Sequence, residues 1–261
     1  MKETPRERIK NSNNEWLLTK TIAHRGLWSD NIIENTIPAF KNAIEKGYSI
    51  ETDVWRIKDG TLIIYHDDSL KRLCGVDKLV KDIENIEELS QYRVAGKEKI
   101  PLFDEFLDTV NGKTEILIEI KTYDFDGKTE KAIYERLKSY DGKYAIESFN
   151  SYTVLWFKKN APSIIRGQLS CYFEDTKFKG IKKILQQGMK KLYFNKLTKP
   201  DFVAYDKKHF PNKYLSKSQK KGIPIILWTI KNMVEFENVI NQVDNVIFDS
   251  FICPLFTNHS K

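Results

Sequence analysis

From about residue 20 onward, short apolar runs of strand length alternate with longer amphipathic segments of helix length. This alternation predicts a parallel sheet with right-handed crossover connections. Eight of the apolar runs fit barrel strands, which predicts an α/β fold of the (β/α)8 TIM-barrel type. The predicted barrel strands lie at 21–24, 48–57, 114–120, 144–148, 164–169, 202–205, 223–229 and 245–248. The predicted helices lie at 35–46, 101–110, 126–140, 151–159, about 177–197, near 216–221 and 233–242.

Two segments depart from this alternation. After the second strand, a Lys58-Asp59-Gly60 turn and the run 61–66 predict a short hairpin strand, and residues 67–99 then carry many charges and only short apolar stubs. We predict that 67–99 is a small insertion after strand two, because so few apolar side chains cannot form an independent core. Residues 1–15 are polar and charged, and are expected to be a flexible N-terminal arm or a short lead-in. The whole chain, 1–261, is predicted to form one barrel domain.

The size and charge of the chain narrow the possible functions. A length of 261 residues suits a single α/β barrel. The net charge is +7, but the chain has no nucleic-acid motif and no basic stripe interleaved with aromatics, so we expect no nucleic-acid partner. The excess of lysine would modestly favour the approach of an anionic small molecule.

The cysteines and the apolar runs indicate where the protein functions. Cys74, Cys171 and Cys253 are far apart in sequence and have neither a disulfide pattern nor zinc-site spacing. No apolar run approaches the roughly 20 residues that a membrane span requires, and residues 1–16 lack an apolar signal core. The sequence therefore predicts a cytoplasmic protein without a transmembrane segment. It leaves the oligomeric state open.

Polar side chains cluster at the predicted C-terminal ends of the strands, where TIM barrels place their active sites. Glu51 and Asp53 alternate in one strand, so their carboxylates share a face and need a cation between them. Hard oxygen ligands of this kind suit Mg²⁺ or Ca²⁺. His24 and His66 each end an apolar run, and a histidine can transfer protons near neutral pH. The other polar residues at strand ends are Arg25, Glu119, Lys121, Glu147, Ser148, Gln168, Tyr205, Asp206, Trp228 and Asp249.

An ordered set of motifs resembles the glycerophosphodiester phosphodiesterase family over about residues 22–254. The matching residues are His24-Arg25-Gly26, Glu34-Asn35-Thr36, Glu51 with Asp53, Asp59-Gly60, His66-Asp67, Glu119 with Lys121, and Trp228-Thr229. By this resemblance the insertion 67–99 lies at the barrel mouth. The resemblance also implies metal-dependent hydrolysis of a glycerophosphodiester, a small-molecule substrate, to sn-glycerol 3-phosphate and an alcohol.

The resemblance assigns a role to each matching residue. It places one divalent cation, Mg²⁺ or Ca²⁺ with Mn²⁺ as an alternative, on three carboxylates and makes both histidines catalytic. Which histidine is the acid stays open, as does whether water or a glycerol hydroxyl is the nucleophile. The implied metal ligands are Glu51, Asp53 and Glu119, with Glu34 as a further neighbour; the implied phosphate and substrate contacts are Arg25, Asn35, Lys121 and Trp228.

Two alternative functions fit the same residues. The barrel can act as a phospholipase-D-type enzyme on lysophospholipids, or as an inactive barrel that binds a phosphodiester. The intact acid, base and metal residues argue against inactivity. One departure from the family pattern is at the last strand, where Phe248 precedes Asp249 in place of a threonine and the spacing to Pro254 is stretched.

Overall fold

A computed structural model describes residues 3–174 and 180–255, and these form a closed parallel barrel. β1 pairs in parallel with both β2 and β9, which closes a ring made of β1, β2 and β4 to β9. β3 pairs antiparallel with β2 outside the ring, as the hairpin prediction required. The predicted (β/α)8 TIM barrel is confirmed. The strands are β1 (Ile22–His24), β2 (Ser49–Arg56), β3 (Leu62–Ile64), β4 (Ile116–Ile120), β5 (Tyr144–Ser148), β6 (Arg166–Ser170), β7 (Phe202–Asp206), β8 (Ile225–Ile230) and β9 (Asn245–Phe248).

Helices alternate with the strands along the chain. None of the helices within 3–174 and 180–255 is both long and apolar enough to cross a membrane. The helices are α1 (Pro5–Asn11), α2 (Trp16–Thr19), α3 (Ile37–Glu45), α4 (Lys71–Cys74), α5 (Ile86–Leu89), α6 (Phe103–Val110), α7 (Lys128–Leu137), α8 (Ser151–Asn160), α9 (Ile181–Lys190), α10 (Asn195–Thr198), α11 (Lys213–Gln219) and α12 (Met233–Val239).

Strand β4 shows how the sequence separates the core from the site. Ile116, Ile118 and Ile120 belong to the apolar cluster that includes the outer helices, whereas Leu117 belongs to the separate cluster inside the barrel. Glu119 lies two residues after Leu117 and therefore faces the barrel interior, nearer its C-terminal mouth. The interior is thus apolar at its base and acidic at its mouth.

The N-terminal segment corrects one prediction. The described residues 3–15 do not form a flexible arm, because Thr4 and Glu7 form a capping box that begins α1. Ile9 is buried, with Trp16 and Leu17, in the cluster inside the barrel. The segment folds because this apolar surface covers the barrel base.

The predicted helices differ from the observed ones at their ends, and two of the differences have an identifiable cause or extent. The helix predicted near 216–221 begins at Lys213, because the Asn212 side chain accepts hydrogen bonds from the next backbone N–H groups and caps it. The helix predicted at about 177–197 is divided into α9 and α10, and its first residues, 177–179, lie outside the described residues.

The insertion 67–99 contains α4, a 3-10 turn at Val80–Asp82 and α5. Its short apolar side chains, including Leu70 and Leu89, pack with Trp55 and Tyr65 from the β2–β3 hairpin and its end. The insertion therefore packs against the hairpin, beside a cleft that His66 and Asp67 line.

Candidate active site

Three buried carboxylates converge at the C-terminal end of the barrel. Asp53 on β2 is the register partner of Glu119 on β4, and Glu51 lies two residues before Asp53 on the same face. One oxygen from each of the three lies within 4.8 Å of the others. The structure thus brings together the three residues predicted to bind a metal.

Lys121 is the main counter-charge of this cluster. Its Nζ lies 2.7 Å from Glu119 Oε1 and 3.1 Å from Asp53 Oδ1. Although burial alone would raise it, the pKa of Asp53 is held far below its usual range by nearby cations, chiefly Lys121. Burial, with repulsion from Asp53, raises the pKa of Glu119 to about 7 and that of Glu51 well above its usual value. One ammonium therefore does not balance the cluster, and this all-oxygen set of buried carboxylates fits a divalent cation.

Glu147 is a fourth acidic residue that the sequence argument left without a role. It is the β5 register partner of Glu119, so it lies on the same interior face. Burial and the charges of Glu119 and Asp53 raise its pKa well above the usual value. Its Oε2 is buried without a hydrogen-bond partner among the described residues.

His24 ends β1 beside the carboxylate cluster. Its Nδ1 lies 2.7 Å from Asp249 Oδ1, and its Nε2 lies 3.9 Å from Glu51 Oε2. Burial and the charge of Arg25 lower the pKa of His24 despite the opposing effect of Asp249. Asp249 directly follows β9, and its position after the last strand was the sequence signal for a role that the family motifs did not supply.

His66 follows β3 on the opposite edge of β2 from β1. Its Nδ1 lies 2.6 Å from Asp67 Oδ1. His66 lines a cleft of about 420 Å³ together with Glu119 and Lys121. Both predicted catalytic histidines thus use Nδ1 for an aspartate, which leaves Nε2 as the nitrogen available to a substrate.

Arg25 begins the loop after β1, with a left-handed backbone (φ +60°). Its backbone N–H donates to Glu51 Oε2 at 3.0 Å, and its Nη1 donates to Glu34 Oε1 at 2.7 Å. Its Nε is buried 3.6 Å from Asp53 Oδ2 and has no hydrogen-bond partner among the described residues. An unsatisfied guanidinium donor beside the cluster suits a phosphate oxygen.

Glu34 and Asn35 lie beside the three-carboxylate cluster and contact residues within or around it. The Glu34 carboxylate is bound by Arg25 and Arg72, and it is not part of the three-carboxylate cluster. Asn35 is buried; it donates to Asp53 Oδ2 at 2.8 Å and accepts from the Thr52 hydroxyl at 2.9 Å. Its amide therefore orients Asp53, and the following residue, Thr36, is the N-cap of α3.

Trp228 lies on β8 at the same end of the barrel. Its ring packs edge to face on Phe149, with centroids 5.7 Å apart, and Phe149 lines the cleft. The indole N–H is buried without a partner among the described residues. Trp228 therefore packs against the cleft wall, and its indole N–H is a hydrogen-bond donor on that side of the barrel.

A family model described as "Glycerophosphoryl diester phosphodiesterase family" matches residues 24–253. The match runs from the first catalytic candidate to the segment after β9 and includes every residue of the cluster. The chain belongs to this family. The resemblance inferred from the motifs is confirmed.

Relatives within the glycerophosphoryl diester phosphodiesterase family span the whole barrel. A glycerophosphodiester phosphodiesterase of Caldanaerobacter subterraneus subsp. tengcongensis is 32% identical over 88% of this chain and 94% of its own length. A solved glycerophosphodiester phosphodiesterase from Thermotoga maritima has a TM-score of 0.68, 26% identity, and coverage of 89% of this chain and 95% of that one.

Two further matches are a structure solved with its own product and a human enzyme. An Oleispira antarctica phosphodiesterase, solved in complex with the product sn-glycerol-3-phosphate, has a TM-score of 0.72, 24% identity, and coverage of 89% of this chain and 94% of that chain. A human lysophospholipase D is 31% identical over 49% of this chain and 43% of its own length. The second match is partial.

Proposed function

We propose that this protein hydrolyses glycerophosphodiesters to sn-glycerol 3-phosphate and an alcohol in a metal-dependent reaction. The observation that carries the proposal is the convergence of three buried carboxylates, a lysine, an arginine and two histidine–aspartate pairs at one end of the barrel. The activity named for its relatives and the sn-glycerol-3-phosphate bound to the Oleispira enzyme support this choice of substrate and product.

We propose that Glu51, Asp53 and Glu119 hold one divalent cation, Mg²⁺ or Ca²⁺, with Mn²⁺ as an alternative. When bound, such an ion neutralises the phosphodiester and polarises its oxygens. Lys121 and Arg25 bind the other phosphate oxygens and stabilise the charge that develops on them. Trp228 is the remaining substrate contact in this proposal, and its packing on Phe149 of the cleft wall supports that role.

The histidines divide the proton transfers. Each aspartate accepts from Nδ1–H and so fixes the tautomer whose Nε2 is unprotonated in the neutral ring. Because burial lowers the pKa of His24, its neutral form is favoured near pH 7, and we propose His24 as the general base. His66, the more exposed of the two, then protonates the leaving alcohol.

Three wider properties belong to the same proposal. The chain 1–261 acts as one barrel domain, because the apolar side chains of the insertion share one cluster with the β2–β3 hairpin. It functions in the cytoplasm without a nucleic-acid partner, which the lack of a disulfide pattern in the sequence and the acidic mouth support. A test of the location is fractionation with an antibody to the native protein, and recovery in the secreted fraction would contradict it.

A second candidate is lysophospholipase-D activity on the same barrel. Tyr123 and Phe125, on the segment after β4, are largely exposed, and Tyr123 lines the cleft. Such a surface can contact an acyl chain, and the human relative carries this activity in its name. Release of choline from lysophosphatidylcholine, compared with glycerophosphocholine, distinguishes the two substrates, and activity on neither would indicate an inactive barrel.

The test of the proposed function is metal-dependent release of glycerol 3-phosphate from glycerophosphocholine. We expect EDTA to abolish turnover and added Mg²⁺, Ca²⁺ or Mn²⁺ to restore it. Full activity in excess EDTA, with no metal in the purified protein, would rule out the metal site.

Asp53→Asn tests the carboxylate cluster directly. Asp53 is fully buried among cations, so losing its charge should weaken cation affinity more than it weakens folding. Titration of Mn²⁺ by electron paramagnetic resonance measures affinity without turnover, and the melting temperature (Tm) reports folding. Wild-type Mn²⁺ affinity in this variant would contradict the assigned ligand set.

A further inference from the structure

The insertion places one arginine, Arg72, between Asp67, the partner of His66, and Glu34, the partner of Arg25. We infer that Arg72 on α4 is a positioning residue that holds His66 through Asp67 and Arg25 through Glu34. This inference rests on the proposed function, because it takes His66 and Arg25 as groups that act on the substrate. It gives the insertion a part in the chemistry beyond shaping the mouth.

The contact with Asp67 uses one edge of the guanidinium. Arg72 Nε donates to Asp67 Oδ2 at 2.6 Å, and Nη2 donates to Asp67 Oδ1 at 3.1 Å. Asp67 Oδ1 is also the atom that lies 2.6 Å from His66 Nδ1. A two-point contact of this kind fixes the plane of the carboxylate, and the carboxylate in turn fixes the imidazole ring.

The contact with Glu34 uses the other edge. Arg72 Nη2 donates to Glu34 Oε1 at 2.6 Å, and Nη1 donates to Glu34 Oε2 at 3.2 Å. Glu34 Oε1 also accepts from Arg25 Nη1 at 2.7 Å. The resulting chain of contacts connects His66, Asp67, Arg72, Glu34 and Arg25 in that order.

The geometry requires arginine at this position. Four hydrogen bonds leave one planar group toward two carboxylates, and a lysine ammonium cannot present two paired edges. Without Arg72, Asp67 keeps its charge but loses the partner that fixes its plane, and Glu34 retains only Arg25 among its ion-pair partners in the described structure.

The experiment compares Arg72→Ala and Arg72→Lys with a matched control, Lys71→Ala. Lys71 is an exposed neighbour on the same short helix, so the control removes one positive charge outside this chain of contacts. We expect Arg72→Ala to lower kcat and raise KM for glycerophosphocholine, lowering kcat/KM about tenfold to a hundredfold. Arg72→Lys should recover a minor part of the loss, and Lys71→Ala should match the wild type.

A double-mutant cycle tests whether Arg72 acts through His66. In the His66→Ala background, Arg72→Ala should lower kcat by much less than it does alone, because the ring that it positions is absent. Equal losses in both backgrounds would overturn the inference. A lowered Tm with unchanged kcat and KM would also overturn it and leave Arg72 a structural role.

A spectroscopic readout separates this inference from the proposed function. In ¹H–¹⁵N spectra of the histidine rings, Arg72→Ala should shift the His66 signals, assigned with the His66→Ala variant, by more than those of His24, whose Nδ1 contacts Asp249. This holds even if the protein cleaves no glycerophosphodiester, so failure of the proposed function alone leaves it intact. Unmoved His66 signals would overturn the positioning role regardless of activity.

Discussion

The two sides of the barrel mouth hold a histidine by the same contact, but they are built differently. His24 ends β1, is 15% exposed and pairs with Asp249 after β9. His66 follows β3, is 32% exposed and pairs with the adjacent Asp67. The first pair is fixed by ring closure, because β1 and β9 are hydrogen-bonded neighbours. The second pair depends on a hairpin outside the ring and on Arg72 from the insertion.

The barrel strands themselves therefore position His24, whereas the hairpin and the insertion position His66. Disturbing the His24 side means disturbing strands that are part of the closed sheet. The His66 side can change with the insertion while the ring remains closed. We therefore expect the His24 side to be the more rigid, and the His66 side to be where different leaving groups are accommodated.

The largest expected effects come from removing the histidines themselves. His24→Ala and His66→Ala should each lower kcat by about a hundredfold to ten-thousandfold, the range for loss of a proton-transfer group. Metal content and Tm should change little. The two losses should not add in the double variant, because both residues serve one coupled reaction. Near wild-type rates in both variants would mean that the histidines are structural.

The leaving group then distinguishes the two sides. The p-nitrophenyl ester of glycerol phosphate has a leaving group of low pKa, which needs little protonation. This substrate should therefore restore the rate of His66→Ala and leave His24→Ala slow. The ratio of kcat on this ester to kcat on glycerophosphocholine measures the rescue. Rescue of His24→Ala instead would exchange the roles proposed for the two sides.

The aspartate partners should show a smaller, graded effect. Asp249→Asn and Asp67→Asn keep the side-chain shape but remove the charge that fixes the histidine tautomer, and each should lower kcat by up to about a hundredfold. Asp249→Asn should be the more damaging, because its histidine is more buried and its carboxylate also accepts from the Trp28 indole at 3.2 Å. An equal or larger loss from Asp67→Asn would show that ring closure does not make the His24 side the more constrained.

The residues that sequence could predict are those whose role depends on one strand. Leu117 and Glu119 share a face because side chains alternate along a strand, and strand ends meet at the mouth of any parallel barrel. The sequence also carried the signal for α1, since Thr4 and Glu7 with Pro5 between them form a helix-start pattern. This pattern predicts a helix at the position where we expected a flexible arm.

Sequence could not predict the contacts that join distant segments of the chain. Asp249 reaches His24 across 225 positions, and that pairing exists only once the ring is closed. Arg72 reaches Glu34 from an insertion whose short helices have little periodicity to place them. The family resemblance implied that Glu34 is a neighbour of the metal, and its ion pairs with two arginines could not be read from the sequence.

Glu147 lies next to Glu119 on the interior face of the barrel. Its substitution should have the smallest effect, a change in folding stability. Its raised pKa means that the folded protein holds this proton at a pH where the unfolded chain, with a glutamate pKa of about 4.3, has released it. Folding stability therefore falls as the pH rises from that value through the folded pKa. Glu147→Gln keeps the shape and cannot ionise, so in EDTA it should be the more stable protein, with an advantage that grows as the pH rises.

Adding a cation should reverse this advantage. If the unpaired Glu147 oxygen faces the cation, wild-type protein should gain more Tm from excess Mg²⁺ than Glu147→Gln does, by about 2–4 °C, the shift for about 1 kcal/mol in a domain of this size. Glu130→Gln is the matched control, because Glu130 is equally buried but bonds Thr153 on α8, and its cation-dependent shift should equal the wild type's. Equal cation shifts in all three proteins would place Glu147 outside the cation site. The two sides of the mouth would then share only Glu51, Asp53 and Glu119.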